Sequence, residues 1–509
     1  MKKQIAVALA AMLTLSCAAG CGTKNASDGG EVTLKMTLAG PSGQKDAQKV
    51  FDEVNKKLKT YEGCENITLD INIIEGSDYK QKFQLWQTSG EQMDIVQTYG
   101  LNYGDLARDG SFVALDDYID ESEALKGAFP DYVWDYALVD GSKYYVPSYQ
   151  MLANVDYSFV TPKALADKYM DVEKMQNVMN SAEIFNDSCW DVLEEYLDTL
   201  AANGELKMGY KPLDSLTFTL QKGYVDVGNR MMMKKDDPTH TVYYMDEVPD
   251  RLNDFKRLSQ LYKKGYIRSD IASVDGSDNM VGSPDGYTLW HSGFRMDEEL
   301  KQKQRDTLKE KYGYEFQEIM TKDYEVLPNG NAAGGMAIST LSKHPDEAFK
   351  VIELLNSEKG KDLYRLLAYG IEGEHYTKLD ENTIEPIGYT GQASSTANYG
   401  LWAWNIGNTK YGFNKTGENM TGDRLDELNS NEDLYISPLT GFVPDTSTIA
   451  SEIAQMNTVF EEYKDLNCGN RPDVEATYNE YMAKVKTAGM EKIKEEMQKQ
   501  VNEFFADKK

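Results

Sequence analysis

Val32-Thr33-Leu34-Lys35-Met36-Thr37-Leu38 alternates apolar and polar side chains, the two-residue period of a strand with one buried face. Gly40-Pro41-Ser42-Gly43 then breaks the pattern, and Val50, Phe51, Val54, Leu58 and Tyr61 recur at helical spacing. Ile67, Leu69, Ile71 and Ile73 return to the strand period, and a short helix over 79–88 carries Phe83 and Trp86 on its apolar side. Asp94-Ile95-Val96-Gln97 reads as a third strand, ending at Thr98-Tyr99-Gly100. Strand, helix, strand, helix, strand is most economically a parallel sheet covered by helices. Ligands of such sheets sit beyond the carboxyl ends of the strands. The loops at 40–44 and 98–104 therefore form the expected binding edge.

Upstream, Lys2 and Lys3 precede an apolar run from Ile5 to Leu15, interrupted only by Thr14. This is a secretory signal, too short to span a bilayer. Ala18-Ala19-Gly20 leads to Cys21-Gly22, which resembles a bacterial lipobox with Ala18 where leucine is usual. Cys21 is the expected acylated residue, with Cys17 the competing cysteine. Residues 1–20 are then the signal peptide. Residues 21–30, small and polar with nothing to bury, are a flexible tether.

The rest of the 509-residue chain exceeds what one hydrophobic core normally organises, so two lobes are expected. Lys143 to Tyr149 reads as a strand leaving the first lobe, the first crossing, and from Pro162 to about Tyr266 the pattern is chiefly helical. Gly286 to Trp290 reads as a second strand crossing between lobes, and 325–327 and 335–338 as further strands. A helix follows from Pro345, and the C-terminal stretch carries Ile449, Ile453, Met456 and Phe460 on one face.

Composition removes several functions. The chain holds 83 Asp and Glu against 54 Lys and Arg, a formal charge of −29. That disfavours nucleic acid, whose phosphates need basic partners. Cys64, Cys189 and Cys468 are too few and too scattered for a disulfide framework or a zinc site. The four histidines form no metal triad, and no nucleophile elbow occurs. Asp423 and Tyr210 stand where the two glycine-spaced loops would need a phosphate-binding lysine. Asp270, Asp275 and Asp278 suggest a calcium loop that no glutamate closes at the right distance. Carboxylate pairs are uninformative in so acidic a chain. No cofactor is expected.

Several pieces in order resemble the family 1 extracellular solute-binding proteins of bacterial ABC importers, nearest to the lipoprotein sugar-binding branch with an extended C-terminal domain. They are Asp94-Ile95-Val96, Gly110-Ser111-Phe112, Tyr145-Val146-Pro147, Gly334-Gly335-Met336-Ala337, Lys343-His344-Pro345-Asp346, Tyr369-Gly370-Ile371 and the stretch from Gly441-Phe442 to Tyr463. The resemblance covers nearly all of the mature chain. It implies an α/β, two-lobed periplasmic-binding-protein-like fold of type II, with a helix-rich second lobe and a ligand cleft between the lobes. The expected division is 31–147 with 291–358 for the first lobe, and 148–290 with 359–509 for the second. The implied protein is a monomeric, non-enzymatic receptor anchored outside the cell membrane, delivering a sugar to a permease. A surface glycoside hydrolase and an adhesion lipoprotein are the rival readings.

For a sugar, aromatic rings that pack on the pyranose C–H face and planar polar partners for hydroxyls are the expected chemistry. The glycine-bounded stretch Tyr399-Gly400-Leu401-Trp402-Ala403-Trp404-Asn405 offers Trp402 and Trp404. Tyr99 stands at a strand's carboxyl end and Tyr149 just past the first crossing. Trp290 ends the second crossing strand, where the family often places a stacking aromatic. Ser42, Arg295 and Asn405 are the polar candidates.

Overall fold

The structure, a computed structural model, describes residues 30–508 except 153–157, 213–221, 249, 275–285, 293–297, 322–324, 327–333, 389–397, 417–419 and 431–433. The expected signal peptide, Cys17 and Cys21 lie outside the described residues. The alternating strands form as the sequence predicts. Val32–Gly40 lies between Ile67–Glu75 and Ile95–Gln97, all parallel. The helices Ala47–Leu58 and Gly76–Ser89 cover them, burying Val50, Phe51, Val54, Leu58, Tyr79 and Phe83. Two further strands complete a five-stranded sheet, in the order Ile67–Glu75, Val32–Gly40, Ile95–Gln97, Gly335–Ile338, Tyr145–Pro147. Gly335–Ile338 runs antiparallel to both neighbours, because the chain returns to this sheet from the opposite lobe. Gly335 is required there, since a Cβ would lie 2.1 Å from the Val146 carbonyl oxygen.

The first hydrophobic core extends well beyond that sheet. Leu363, Tyr364 and Leu367 of the helix Lys361–Tyr369, followed by Tyr399, Leu401, Ile406, Phe413 and Leu425, are buried against it. The assignment of 359–509 to the second lobe is therefore corrected: this stretch divides near residue 430. The second core gathers around the antiparallel strands Trp290–Ser292, Ser158–Pro162 and Phe316–Met320, with Trp190, Leu193 and Leu197 from the helix Asp187–Ala202. His291, Ser292 and the described residues 298–320 thus belong to the second lobe, not to the first. Nor do Thr288 to Trp290 cross between lobes: Trp290 pairs with Val160 inside the second lobe.

A third core packs the strands Tyr224–Gly228, Met231–Lys234 and Val242–Tyr244 beneath the helices Ala450–Tyr463, Val474–Thr487 and Met490–Asp507. A buried ionic cluster joins it to the second core. Arg251, fully buried, donates to Asp246 Oδ1 at 2.8 Å and to Asn467 Oδ1 at 2.9 Å. Tyr481 donates to the other Asp246 oxygen at 2.6 Å, and Trp190 Nε1 to Asp254 at 2.9 Å.

The chain passes between lobes after Leu152, before Gly335 and after Asn429. Two passages lie side by side, since Glu325–Val326 pairs in parallel with Tyr435–Ile436. Asn429 ties the first passage to the third: its Oδ1 accepts from Leu152 N at 2.9 Å, and its Nδ2 donates to the Gln150 carbonyl at 2.8 Å. No described helix is long and apolar enough to cross a membrane.

Candidate functional site

The carboxyl ends of the three parallel strands carry the site. Behind them the segment 399–405 is stapled at both ends. Gln44, past the end of the first strand, donates Nε2 to the Gly400 carbonyl and accepts from Gly400 N, both at 2.6 Å. Gln97, at the end of the third, donates Nε2 to the Asn405 carbonyl at 2.6 Å, while Asn405 Nδ2 donates back to Gln97 Oε1 at 3.1 Å. Held this way, the segment presents Trp402 and Trp404 as a stacked pair, centroids 5.7 Å apart and planes 15° apart. Tyr99 meets both edge-on, at 6.0 Å and 5.1 Å. All three rings are half-buried. Gly76 makes room for this arrangement, since a Cβ there would fall 2.5 Å from Trp402 Cη2.

Tyr99 also lines a cavity of about 440 Å³ between the lobes, within the range of small-molecule sites. Its first-lobe wall is the 98–102 loop, the start of the helix Tyr103–Arg108, and Tyr145; its opposite wall is Gly228, Asn229, residues 441–444 and Thr446. Both tyrosine hydroxyls donate to the Tyr136 carbonyl at 2.7 Å, and burial pushes both phenols well above their usual range, so they stay neutral. Arg108 clasps the two walls. It pairs with Asp140 at 3.1 Å and donates to the carbonyls of Val443 at 2.7 Å and Pro444 at 3.3 Å.

The structure thus brings Tyr99, Trp402 and Trp404 together, and sets Ser42 on the same edge. Ser42 is exposed and donates to Glu75 at 3.0 Å. Asn405 is fully buried and spends its amide nitrogen on Gln97, so it positions the aromatic segment from behind. Tyr149 is a core residue: it is fully buried, packs on Phe129, and donates to Asp426 at 3.1 Å. Trp290 is also core, 5% exposed and edge-on to Phe316 at 5.3 Å. Arg295 lies outside the described residues. His291 shares a 2.6 Å hydrogen bond with Tyr210, and burial drives its pKa well down, so the ring is neutral. Asp270 is engaged by Arg268 at 2.5 Å; Asp275 and Asp278 lie outside the described residues.

Along its whole length the chain is 27% identical, over 536 aligned positions, to a carbohydrate ABC transporter substrate-binding protein of Streptococcus pneumoniae serotype 4, covering 100% of this chain and 99% of that one. Its whole-length likeness is thus to a solute-binding protein of an ABC importer. Residues 438–506 match a family model described as a domain of unknown function, DUF3502. The fold is that of the N-glycan transport solute-binding protein NgtS from S. pneumoniae, with TM-score 0.71 and 21% identity over 94% of this chain and 100% of that one. The complex of NgtS with Man5GlcNAc aligns at TM-score 0.59 and 23% identity, over 94% and 100% of the two chains.

In this chain, reasoning from sequence alone missed the whole second-lobe wall: Asn229, Phe442 and their neighbours. One signal was available. Gly228-Asn229-Arg230 separates two apolar runs and marks a tight hairpin.

Proposed function

We propose that the chain captures an oligosaccharide in the interlobe cavity and delivers it to a membrane permease. The observation that carries this reading is the ring cluster of Tyr99, Trp402 and Trp404, stapled to the carboxyl edge of the parallel sheet and opening on that cavity through Tyr99. Stacked indoles offer the flat apolar faces that pyranose rings pack against. The carbohydrate name of the pneumococcal relative and the Man5GlcNAc bound by NgtS point to the same ligand class. A retaining or inverting glycosidase would need two carboxyl groups flanking the sugar bond. Among the described cavity-lining residues the carboxylate is Asp105, which favours a receptor over an enzyme.

The three interlobe passages form the hinge, since a few residues there can absorb a closing rotation. Cys21 carries the lipid that holds the receptor at the outer face of the membrane, with residues 21–30 as tether. The protein works as a monomer.

A thermal-shift screen against a sugar library tests the reading. A ligand at a hundred times its Kd raises the stability of the native state by about 2.7 kcal/mol. Release of a cleaved product, or no shift with any oligosaccharide, would refute it. Cys21→Ser should separately move the protein from the membrane to the soluble fraction; an unmodified Cys21 in the membrane-bound parent would remove the anchor.

A further inference from the structure

The second-lobe wall ends in an unusually well-determined group. Strands Tyr224–Gly228 and Met231–Lys234 are joined by two residues, Asn229 and Arg230, both with positive φ, 53° and 65°. That is the geometry of the tight hairpin turn whose twist matches its strands, and asparagine is among the few side chains that adopt it readily. Arginine does not, and the structure holds it there. The Arg230 guanidinium lies 3.4 Å over the Phe460 ring and donates to Asn457 Oδ1 at 2.9 Å. Asp226 accepts from Gly228 N at 2.8 Å on the other side of the turn. Asn457 and Phe460 belong to the helix Ala450–Tyr463, inside the segment of unknown function, 438–506. The same segment supplies Phe442 and Pro444 to the cavity wall.

Most polar side chains of that cavity are already engaged. The Tyr103 and Tyr145 hydroxyls are on Tyr136, Asn102 accepts from Lys80, and Thr98 Oγ1 accepts from Gly335 N. Among the described residues that line the cavity, Tyr99 and Asn229 have side chains without a protein hydrogen-bond partner. One is on the first lobe and the other on the second. An amide both donates and accepts, which suits a sugar hydroxyl.

We propose that Asn229 is a specificity-determining residue of this site, reading a ligand hydroxyl from the second lobe, and that the segment 438–506 serves to hold it in place. The proposal rests on the oligosaccharide reading above and adds a residue and a role for the C-terminal segment. A polar group built to pair with a ligand hydroxyl discriminates against analogues lacking it more strongly than an apolar contact does.

A glycan array probed with the full chain tests it, comparing the parent with N229G, R230A and W402A, followed by titration of the retained glycans. Glycine keeps the positive φ, so N229G should match the parent's melting temperature yet bind a subset of those glycans on the order of tenfold more weakly. R230A should weaken the same subset, although Arg230 does not line the cavity. W402A should weaken all retained glycans. If W402A weakens binding while N229G binds like the parent, the role of Asn229 is overturned and the oligosaccharide reading stands. If N229G lowers the melting temperature and weakens every glycan alike, Asn229 is structural and the proposal is again overturned. If the parent retains no glycan, the oligosaccharide reading falls and this inference with it.

Discussion

Trp290 and Trp402 are equivalent candidates in the sequence and separate cleanly in the structure, so replacing each by alanine should give opposite signatures. Trp290 is 5% exposed, enclosed by the second core and edge-on to Phe316. Losing a buried tryptophan costs about 3–5 kcal/mol, the transfer of its ring plus the cavity left behind. For a lobe-sized unit each kcal/mol lowers the midpoint by about 2–4 °C, so W290A should fall by roughly 6–20 °C. Its backbone pairs with Val160 and its ring points into the core, so sugar affinity of the folded protein should stay within about threefold of the parent, under 1 kcal/mol. Trp402 is half-buried beside Trp404 and Tyr99. W402A should lose on the order of thirtyfold in affinity, about 2 kcal/mol, as for an aromatic anchor. Its stability cost should be the smaller one, about 1–2 kcal/mol. Scanning calorimetry gives the midpoints, and titration calorimetry well below them gives the affinities. A W290A variant that melts like the parent but binds thirtyfold more weakly would refute the core assignment.

The buried Arg251 cluster should be equally unforgiving. R251M leaves Asp246 and Asp254 without their cation, and about 3–5 kcal/mol should be lost in denaturant titration; an unchanged midpoint would mean the cluster is not closed in solution. Acid should weaken the turn at Asp237, whose partial burial raises its pKa but is outweighed by hydrogen bonds from Thr239 and Thr241, leaving it at about 2. A carboxyl depressed in the folded state stabilises above its unfolded value near 4 and loses that contribution as pH falls towards 2. The stability gap between parent and D237N should therefore be constant from pH 7 to 5 and close between about 4 and 2; a gap independent of pH throughout would exclude this role.

What was legible in the sequence was local. Val32 to Gln97 announces its strands because alternate residues face a core, and the helices over 47–58 and 345–355 announce theirs by apolar faces. The second lobe was harder. Ser158–Pro162, Phe316–Met320 and the three strands from Tyr224 to Tyr244 are short. Met231-Met232-Met233 also carries no strand preference of its own, methionine being a good helix former. These strands exist because partners far along the chain complete them. The lobe boundaries failed for the same reason: what assigns the helix Lys361–Tyr369 and Tyr399, Leu401, Phe413 and Leu425 to the first lobe is burial in the first core, and the passages are fixed by such pairs as Leu152 with Asn429.

The site divides along the same line. Tyr99, Trp402 and Trp404 could be named from sequence because ring chemistry at a strand end and in a glycine-bounded stretch is visible residue by residue. Asn405 could be named but not interpreted, since its amide nitrogen is spent on Gln97, 308 positions away. Asn229 illustrates the opposite failure. Its turn is written plainly in Gly228-Asn229-Arg230, yet nothing local says that the turn faces a tyrosine of the other lobe. That follows only once Arg230 is seated on Phe460 and Pro444 reaches the Arg108 clasp. A hairpin tip with its side-chain amide unspent is costly to bury without a partner. If the lobes close on a ligand as proposed, a ligand hydroxyl would supply that partner, and closure and recognition would be coupled at a turn braced by Phe460 and Asn457.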